Sequence, residues 1–549
     1  MSRMDTNRIK ILFLLTLFPA FLYVNAISND FLIDDQIIVD SNIRPLEAEG
    51  PLSVFAKGEK FQSLDLPYYR PLTNLSYYLD HRLWGMNPSG FHFTNLLLHI
   101  LNTLLVFALA SSLIGGRAIP CLAALFFTAH PVHTESLDLV QGRTDLLSGL
   151  FFLSSLLLFI RLTQRRREQD SFVLYAASLL AFFLALLSKE MAVTLPLILF
   201  LYSFLFFRPP GREGQRFLNP WLFSAPFFVV LGIYLLLRVW ILGVPSIPPA
   251  NLLSFLFPRL LLIPRLLITY LKLLIWPFSL TFLHSIPPPQ GLSDPGLFLP
   301  LILLCLLTIG VALLVRRSKE ALFAASWILV TLLPVLNLVP IQGFVLAERY
   351  LYIPSVGLSL LAALAAGRVM GSRIPSWGKG LVGVSITAVL IAFSTATVWR
   401  NSEWSDHVAI YQEMVKASPD SFFAHNNLAL EYMERGEADE AIAHLKIAVA
   451  LDPDNAIGYN NLGVAYARKG LSEEAAETYR RAIQIDPRYA EPYNNLGVLS
   501  EEIGHLHEAE IYYRRALQLD PQSAKAIENL ARIYEKGPSR TRASNPGPS

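Results

Sequence analysis

The chain has 549 residues, of which 53% are hydrophobic and only 16% charged, against roughly 25% charged in soluble domains. Its apolar residues come in long blocks separated by short charged loops, which excludes an ordinary soluble protein or a disordered one. A formal net charge of +2 names no partner, and the basic residues fall in clusters that bear on membrane orientation rather than on nucleic acid.

The first apolar run, Ile9 to Ala26, follows Arg3 and Arg8 and predicts a membrane span. Val24-Asn25-Ala26 leaves a cleaved signal peptide as the competing reading. A polar stretch, 27–92, comes next. Further spans are predicted at 93–114, 118–136, 143–162, 171–188, 190–207, 219–241, 296–315, 321–340, 350–368 and 380–398, about eleven with the first. Cys121 and Cys305 both lie inside apolar runs, so no disulfide framework is available. The segment 252–283 is apolar but broken by Pro258, Pro264 and Pro277, and it carries Arg259, Arg265 and Lys272. That pattern predicts an interfacial or re-entrant helix pair.

Orientation follows from the basic clusters Arg165-Arg166-Arg167, Arg208/Arg212/Arg216, Arg316-Arg317-Lys319 and Arg368/Arg373/Lys379. They occupy every second loop. Placing those loops in the cytosol satisfies the positive-inside rule throughout, and it puts the 27–92 loop and the C-terminal tail outside.

Beyond residue 400 the chain repeats itself. Pro419, Pro453, Pro487 and Pro521 recur every 34 residues, as do Asn427, Asn461, Asn495 and Asn529, and Gly436, Gly470 and Gly504. In the unit from Ala456, Tyr459, Leu462, Gly463, Tyr466, Ala475, Tyr479, Ala482 and Pro487 fall at tetratricopeptide (TPR) offsets. Large residues of one helix would pack over alanines of the next, and the proline ends the second helix. Residues 403–417, with Trp404 and Tyr411, predict a capping helix. The expected fold class is therefore all-α: a polytopic helical membrane bundle, 1–400, with an outer loop at 27–92, then a TPR α-solenoid at 401–537. A Ser/Pro/Arg-rich tail, 538–549, is expected to be disordered.

Charged groups beside apolar spans are costly and therefore informative. Asp34 and Asp35 follow the first span; alone, the pair reads as a solvated turn. Three further polar islands fall on the same predicted side. One runs from His130 through His133 and Glu135 to Gln141-Gly142-Arg143-Thr144-Asp145; the others are Ser188-Lys189-Glu190 and Ala347-Glu348-Arg349-Tyr350. Together they suggest a site for an amphiphilic substrate. Lys189 with Glu190, and Glu348 with Arg349, can equally be helix-end ion pairs. His130, His133 and Glu135 can be read as metal ligands, but a proline between the histidines fits no strong metal motif.

The order of these blocks resembles the transmembrane and TPR-containing protein O-mannosyltransferases. The matching stretches include Phe31 to Asp35, Tyr69-Arg70-Pro71-Leu72-Thr73, His130 to Glu135, Gly142 to Leu147, Ser188-Lys189-Glu190 and Ala347 to Ser355, with the closing repeats. That family belongs to the C-type glycosyltransferases. The resemblance implies transfer of mannose from dolichyl phosphate mannose, with a carboxylate of the acidic pair, Asp34 or Asp35, deprotonating a Ser or Thr hydroxyl. In that scheme Arg70 is the first choice to meet the donor phosphate, with Arg143, Lys189 and Arg349 as further candidates. His130, His133, Glu135, Asp145, Glu190 and Glu348 would support them. The lipid-linked sugar is a substrate; no cofactor is implied, and no metal is required if the cations neutralise the leaving phosphate. Similar asparagine ladders in other TPR glycosyltransferases hold acceptor polypeptides, which implies that role for Asn427, Asn461, Asn495 and Asn529. The alternative for these asparagines is that each caps or bridges the inter-helix turn. The short repeat tail suits a prokaryotic relative at the plasma membrane; a eukaryotic one would sit in the endoplasmic reticulum. The rival readings are a glycan or lipid acceptor, and a non-catalytic membrane scaffold displaying repeats.

Overall fold

A computed structural model describes residues 6–56, 59–61, 64–164, 171–206, 220–243, 252–284, 286–287, 289, 291, 294–316, 318–337 and 345–536. The chain separates into two compact units, Met1–Asp406 and His407–Ser549.

The first unit opens with α1 (Thr6–Tyr23), prolonged by a 3-10 turn to Ser28. The polar stretch after it folds into α2 (Ile33–Glu49), an antiparallel hairpin of β1 (Glu59–Phe61) and β2 (Leu64–Tyr68), and α3 (Pro71–Trp84). Pro71 supplies the preset backbone angle of a first helical position. Then come α4 (Pro88–Ile114), α5 (Ala118–Ala129), the single turn α6 (Thr134–Asp138), and α7 (Arg143–Gln164). Next are α8 (Ser171–Ser188), α9 (Leu195–Phe206) and α10 (Pro220–Leu242). The unit closes with α11 (Leu252–Ile275), α12 (Pro295–Val315), α13 (Lys319–Leu332), α14 (Pro354–Gly371) and α15 (Ser376–Glu403).

Among the described residues, seven helical segments are long and apolar enough to cross a membrane, and the chain is an integral membrane protein. Every predicted span position carries a helix: 171–188 is helical over its whole predicted length and 190–207 is a 3-10 turn followed by a helix of 12 residues, whereas 118–136 and 321–340 are shorter than expected. The predicted span 118–136 stops at Ala129 because Pro131 follows, and 321–340 leaves its helix at Leu332, before Pro334. The segment 252–283 also departs from expectation. It is one helix of 24 residues rather than a pair; Pro258 and Pro264 lie within it, and the chain leaves the helix only before Pro277. The basic clusters at 165–167 and at 208–216, with Arg317, lie outside the described residues.

The second unit is a helical stack of α16 (His407–Ala417), α17 (Phe422–Glu434), α18 (Ala438–Leu451), α19 (Ala456–Arg468) and α20 (Ser472–Ile485). It ends with α21 (Ala490–Glu502), α22 (Leu506–Leu519) and α23 (Ala524–Lys536). Ala475 and Ala482 are fully buried beside Tyr479, as helix crossing over small residues requires. Gly436, Gly470 and Gly504 turn the chain between paired helices at φ of 80°, 82° and 83°, a backbone state that favours glycine. Trp404 is a correction: it follows the end of α15 and packs edge-on against Phe282, 5.8 Å between ring centres, outside the capping helix. The tail, 538–549, lies outside the described residues.

Candidate active site

Three short 3-10 turns carry the polar islands: Pro131–His133, Glu190–Thr194 and Glu348–Leu351. Each sits where an apolar helix has just ended or is about to begin, and its polar side chains are largely buried. The turn Pro131–His133 packs on Glu348–Leu351.

Arg70 grips Glu190 with two parallel bonds, Nε to Oε2 at 3.1 Å and Nη2 to Oε1 at 2.6 Å. Lys189 Nζ meets Asp145 Oδ2 at 2.6 Å. Arg349 donates to Glu135 twice, from Nη1 and from its backbone N, each at 2.8 Å. The Tyr350 ring lies under both Lys189, at 5.1 Å, and Arg349, at 5.7 Å, while Arg70 sits 4.2 Å over Tyr68. These three cations act on one another: burial pushes the Lys189 ammonium pKa below its usual range, Asp145 pulls it back up, and Arg70 and Arg349 push it down again. The structure thus assembles Arg70, Lys189, Arg349, Glu135, Asp145 and Glu190 into one electrostatic cluster. The readings that paired sequence neighbours, Lys189 with Glu190 and Glu348 with Arg349, are replaced by pairs across the fold.

Arg143 is not brought to this cluster. It is wholly buried, with Nη1 on Asp80 at 2.5 Å, Nε on Asn95 Oδ1 at 2.9 Å and Nη2 on the Phe91 carbonyl at 2.7 Å. A guanidinium so enclosed holds α3, α4 and α7 together and leaves nothing to offer a phosphate.

Asp35 is 1% exposed on the first turn of α2, and its carboxylate accepts from the Val140 and Gln141 backbone amides at 3.1 and 3.0 Å. It thereby fastens the acidic pair to the turn before α7. The side chain of Asp34 lies outside the described part of the structure, although its backbone belongs to α2.

The remaining candidates brace the site. His130 donates from Nε2 to the Leu274 carbonyl at 2.8 Å and accepts from Val132 N at its Nδ1, which fixes one tautomer. Burial pushes its pKa down to about 4, so the ring is neutral. His133 is buried against Phe127 and Tyr352, with Nε2 3.4 Å from Ser355 Oγ. Glu348 accepts from Thr281 N at 2.5 Å and from His284 Nε2 at 3.1 Å. His130 and Glu135 therefore have their ligating atoms already bonded, and among the described residues no group of three His, Cys, Asp or Glu is arranged to hold a metal ion. Sequence reasoning gave no role to Tyr68 or His284, and it named Tyr350 only as part of a polar island without assigning its ring to the cations it faces.

In the repeats the asparagines do form a ladder, though not the one expected. Nδ2 of Asn461, Asn495 and Asn529 donates to Oδ1 of Asn426, Asn460 and Asn494 in the preceding repeat, at 2.9, 3.0 and 2.9 Å. The asparagines bridge repeat to repeat, not the turn within one. Asn461, Asn495 and Asn529 stay partly exposed, whereas Asn427 is 5% exposed and accepts from Asn426 at 3.2 Å, so it is withdrawn from any groove. Asn461→Ala with Asn495→Ala in the full chain is expected to cost about 1 kcal/mol per lost bond. Differential scanning of the detergent-solubilised protein would read this, and an unchanged unfolding profile would remove the structural role.

The TPR family matches residues 426–490, and a second tetratricopeptide repeat match covers 490–523. Over the longer chain, protein O-mannosyl-transferase tmtc2 of Xenopus laevis is 26% identical, covering 76% of this chain and 60% of that protein. Protein O-mannosyl-transferase Tmtc1 of Drosophila melanogaster is 27% identical, covering 78% and 60%, and TMTC4 of Homo sapiens 26%, covering 77% and 64%. The chain thus spans about 60% of the length of the curated relatives it matches. Among solved structures, the crystal structure of MamA is 28% identical over 24% of this chain and 75% of that one, with a TM-score of 0.22. The resemblance drawn from the motifs therefore extends over most of the chain, and the C-terminal repeats are tetratricopeptide repeats.

Proposed function

We propose that this chain is a membrane glycosyltransferase that moves a sugar, mannose by analogy with the names of its relatives, from a polyprenyl-phosphate carrier to Ser or Thr hydroxyls of proteins outside the cytosol. The observation that carries the reading is the cluster of Arg70, Lys189 and Arg349, closed by Glu190, Asp145 and Glu135, at the end of an apolar bundle next to the loop that holds Asp35.

In this reading the acceptor oxygen attacks the anomeric carbon on the face opposite the phosphate, which inverts the centre. The bond from that carbon to the phosphate oxygen breaks, the sugar joins the hydroxyl, and the lipid phosphate leaves carrying the extra negative charge. A carboxylate takes the hydroxyl proton. Asp35 is 1% exposed with its carboxylate tied to two backbone amides, so in this reading it anchors the loop and Asp34 is the base. Arg70 and Lys189 neutralise the departing phosphate. Their carboxylate partners keep the cations compact and oriented until a phosphate competes for them. The partly exposed Asn461, Asn495 and Asn529 offer amide groups to an extended acceptor chain, and the repeats stand on the acceptor side of the membrane. That membrane is the plasma membrane in a prokaryote or the endoplasmic reticulum in a eukaryote.

Comparing extracytoplasmic proteins from cells with and without the gene by mass spectrometry tests this. Hexose on Ser or Thr should disappear from a defined set of proteins in its absence. An unchanged modification pattern, with the protein made and inserted, would favour the scaffold instead.

A further inference from the structure

The segment Leu222–Leu242 has a mean hydropathy of 2.2, and Arg238 is its one charged residue. A charge at such a position is costly unless it has a task or an escape to water. On α10, Arg238 lies four residues after Tyr234, one turn nearer the helix end on the same face. Tyr234 is 1% exposed in a core shared with Tyr69, Ala185, Leu186 and Leu195, and Leu237, Ile241 and Leu242 pack on that core too. That face of α10 packs on α8 and α9, and the turn between α8 and α9 opens with Lys189-Glu190. Arg238 accordingly lies toward the end of α10 that meets this turn, close enough for its charge to act on Glu190. Leu236 and Trp240, 72% and 79% exposed, point the other way, toward lipid.

Arg70, Lys189 and Arg349 each hold a carboxylate, and Arg143 is enclosed. Arg238 makes no ion pair or hydrogen bond among the described residues. It is a half-buried guanidinium on the border between bilayer and cluster. We propose that Arg238 receives the phosphate of the lipid-linked donor from the bilayer, the anion displacing Glu190 from Arg70 to lodge between the two guanidiniums. The site takes a lipid phosphate by lateral entry along α10, so the lipid chain never has to leave the hydrocarbon. A guanidinium suits this role better than an ammonium, because its fork can meet two phosphate oxygens at once.

This assignment rests on the donor proposed above, and the test separates the two. The full-length protein in phosphatidylcholine nanodiscs is titrated with dolichyl phosphate or undecaprenyl phosphate, with phosphatidylglycerol as a headgroup control. Arg238→Gln is expected to weaken polyprenyl-phosphate binding about tenfold or more, the scale of a lost charge-assisted contact. The donor KM should rise in step while the acceptor KM holds within about twofold, and Arg238→Lys should recover part of the loss. Equal thermal stability of the Gln and Lys variants would show that both fold. Parental binding by Arg238→Gln, or equal competition from phosphatidylglycerol, would reduce Arg238 to a membrane anchor and leave the transferase reading standing. A parent protein that neither binds a polyprenyl phosphate nor transfers sugar would overturn both.

Discussion

Asp34→Asn is expected to lower sugar transfer by about 10²–10⁴-fold, the range for loss of a general base, with insertion and thermal stability unchanged. An amide has the shape of the carboxylate but cannot take the acceptor's proton. Asp35→Asn should behave differently. The Asp35 carboxylate accepts one backbone N–H on each oxygen, from Val140 and Gln141. An asparagine can accept at only one of those positions and sets its own N–H donors against the other. The loss of a satisfied buried contact costs about 1–3 kcal/mol, so this variant should unfold at lower temperature and lose activity through disorder of the loop. Measuring turnover and heat inactivation side by side separates the two aspartates. Turnover by Asp34→Asn at the parental rate would move the base elsewhere. Full stability in Asp35→Asn would mean that the amide contacts are incidental.

The repeats are legible in the sequence because their period is enforced at every contact: a glycine that must turn at φ near 80° and an alanine that must let a helix pass leave no freedom to drift. The polar islands are legible as well, since charge at the edge of an apolar run is rare enough to stand out. What the sequence does not reveal is who pairs with whom. Lys189 has an extended backbone, φ −159° and ψ 140°, and in extended chain successive side chains point opposite ways. It therefore turns to Asp145 while Glu190 turns to Arg70. Arg143 reads like a site cation because it follows Gly142 in a polar block, yet α7 begins at that residue and carries it inward to Asp80 and Asn95. Arg238 is hidden for the opposite reason: a lone charge inside a hydrophobic run is averaged away when the run is read as a span. Asn461, Asn495 and Asn529 are visible as a period, but their partners sit one residue earlier in the preceding repeat, which only the stacking of helices can reveal.

The largest loss of stability is expected from Glu135→Ala. Glu135 is 1% exposed and meets Arg349 through both the guanidinium and the backbone amide, joining chain segments 214 residues apart. Truncating it leaves the Arg349 guanidinium without its carboxylate in a site that is nearly closed to water, and breaking one half of a buried pair costs about 3–5 kcal/mol. Glu135→Gln should cost less, because the amide oxygen still accepts from the Arg349 backbone. Adding Arg349→Met to Glu135→Ala should return part of the stability, since the buried charge that has lost Glu135 is removed and a methionine fills much of the same space. Activity should not return with it: the cluster would have lost a cation over the Tyr350 ring that Lys189 also uses. Residual monomer after heating in detergent, followed by size-exclusion chromatography, ranks the variants without requiring reversible unfolding. If the double variant were less stable than Glu135→Ala alone, Arg349 would be held mainly by its packing rather than by Glu135. If Glu135→Ala were as stable as the parent, the pair would have to be open to water, and the closed cluster on which the donor-binding reading depends would not exist.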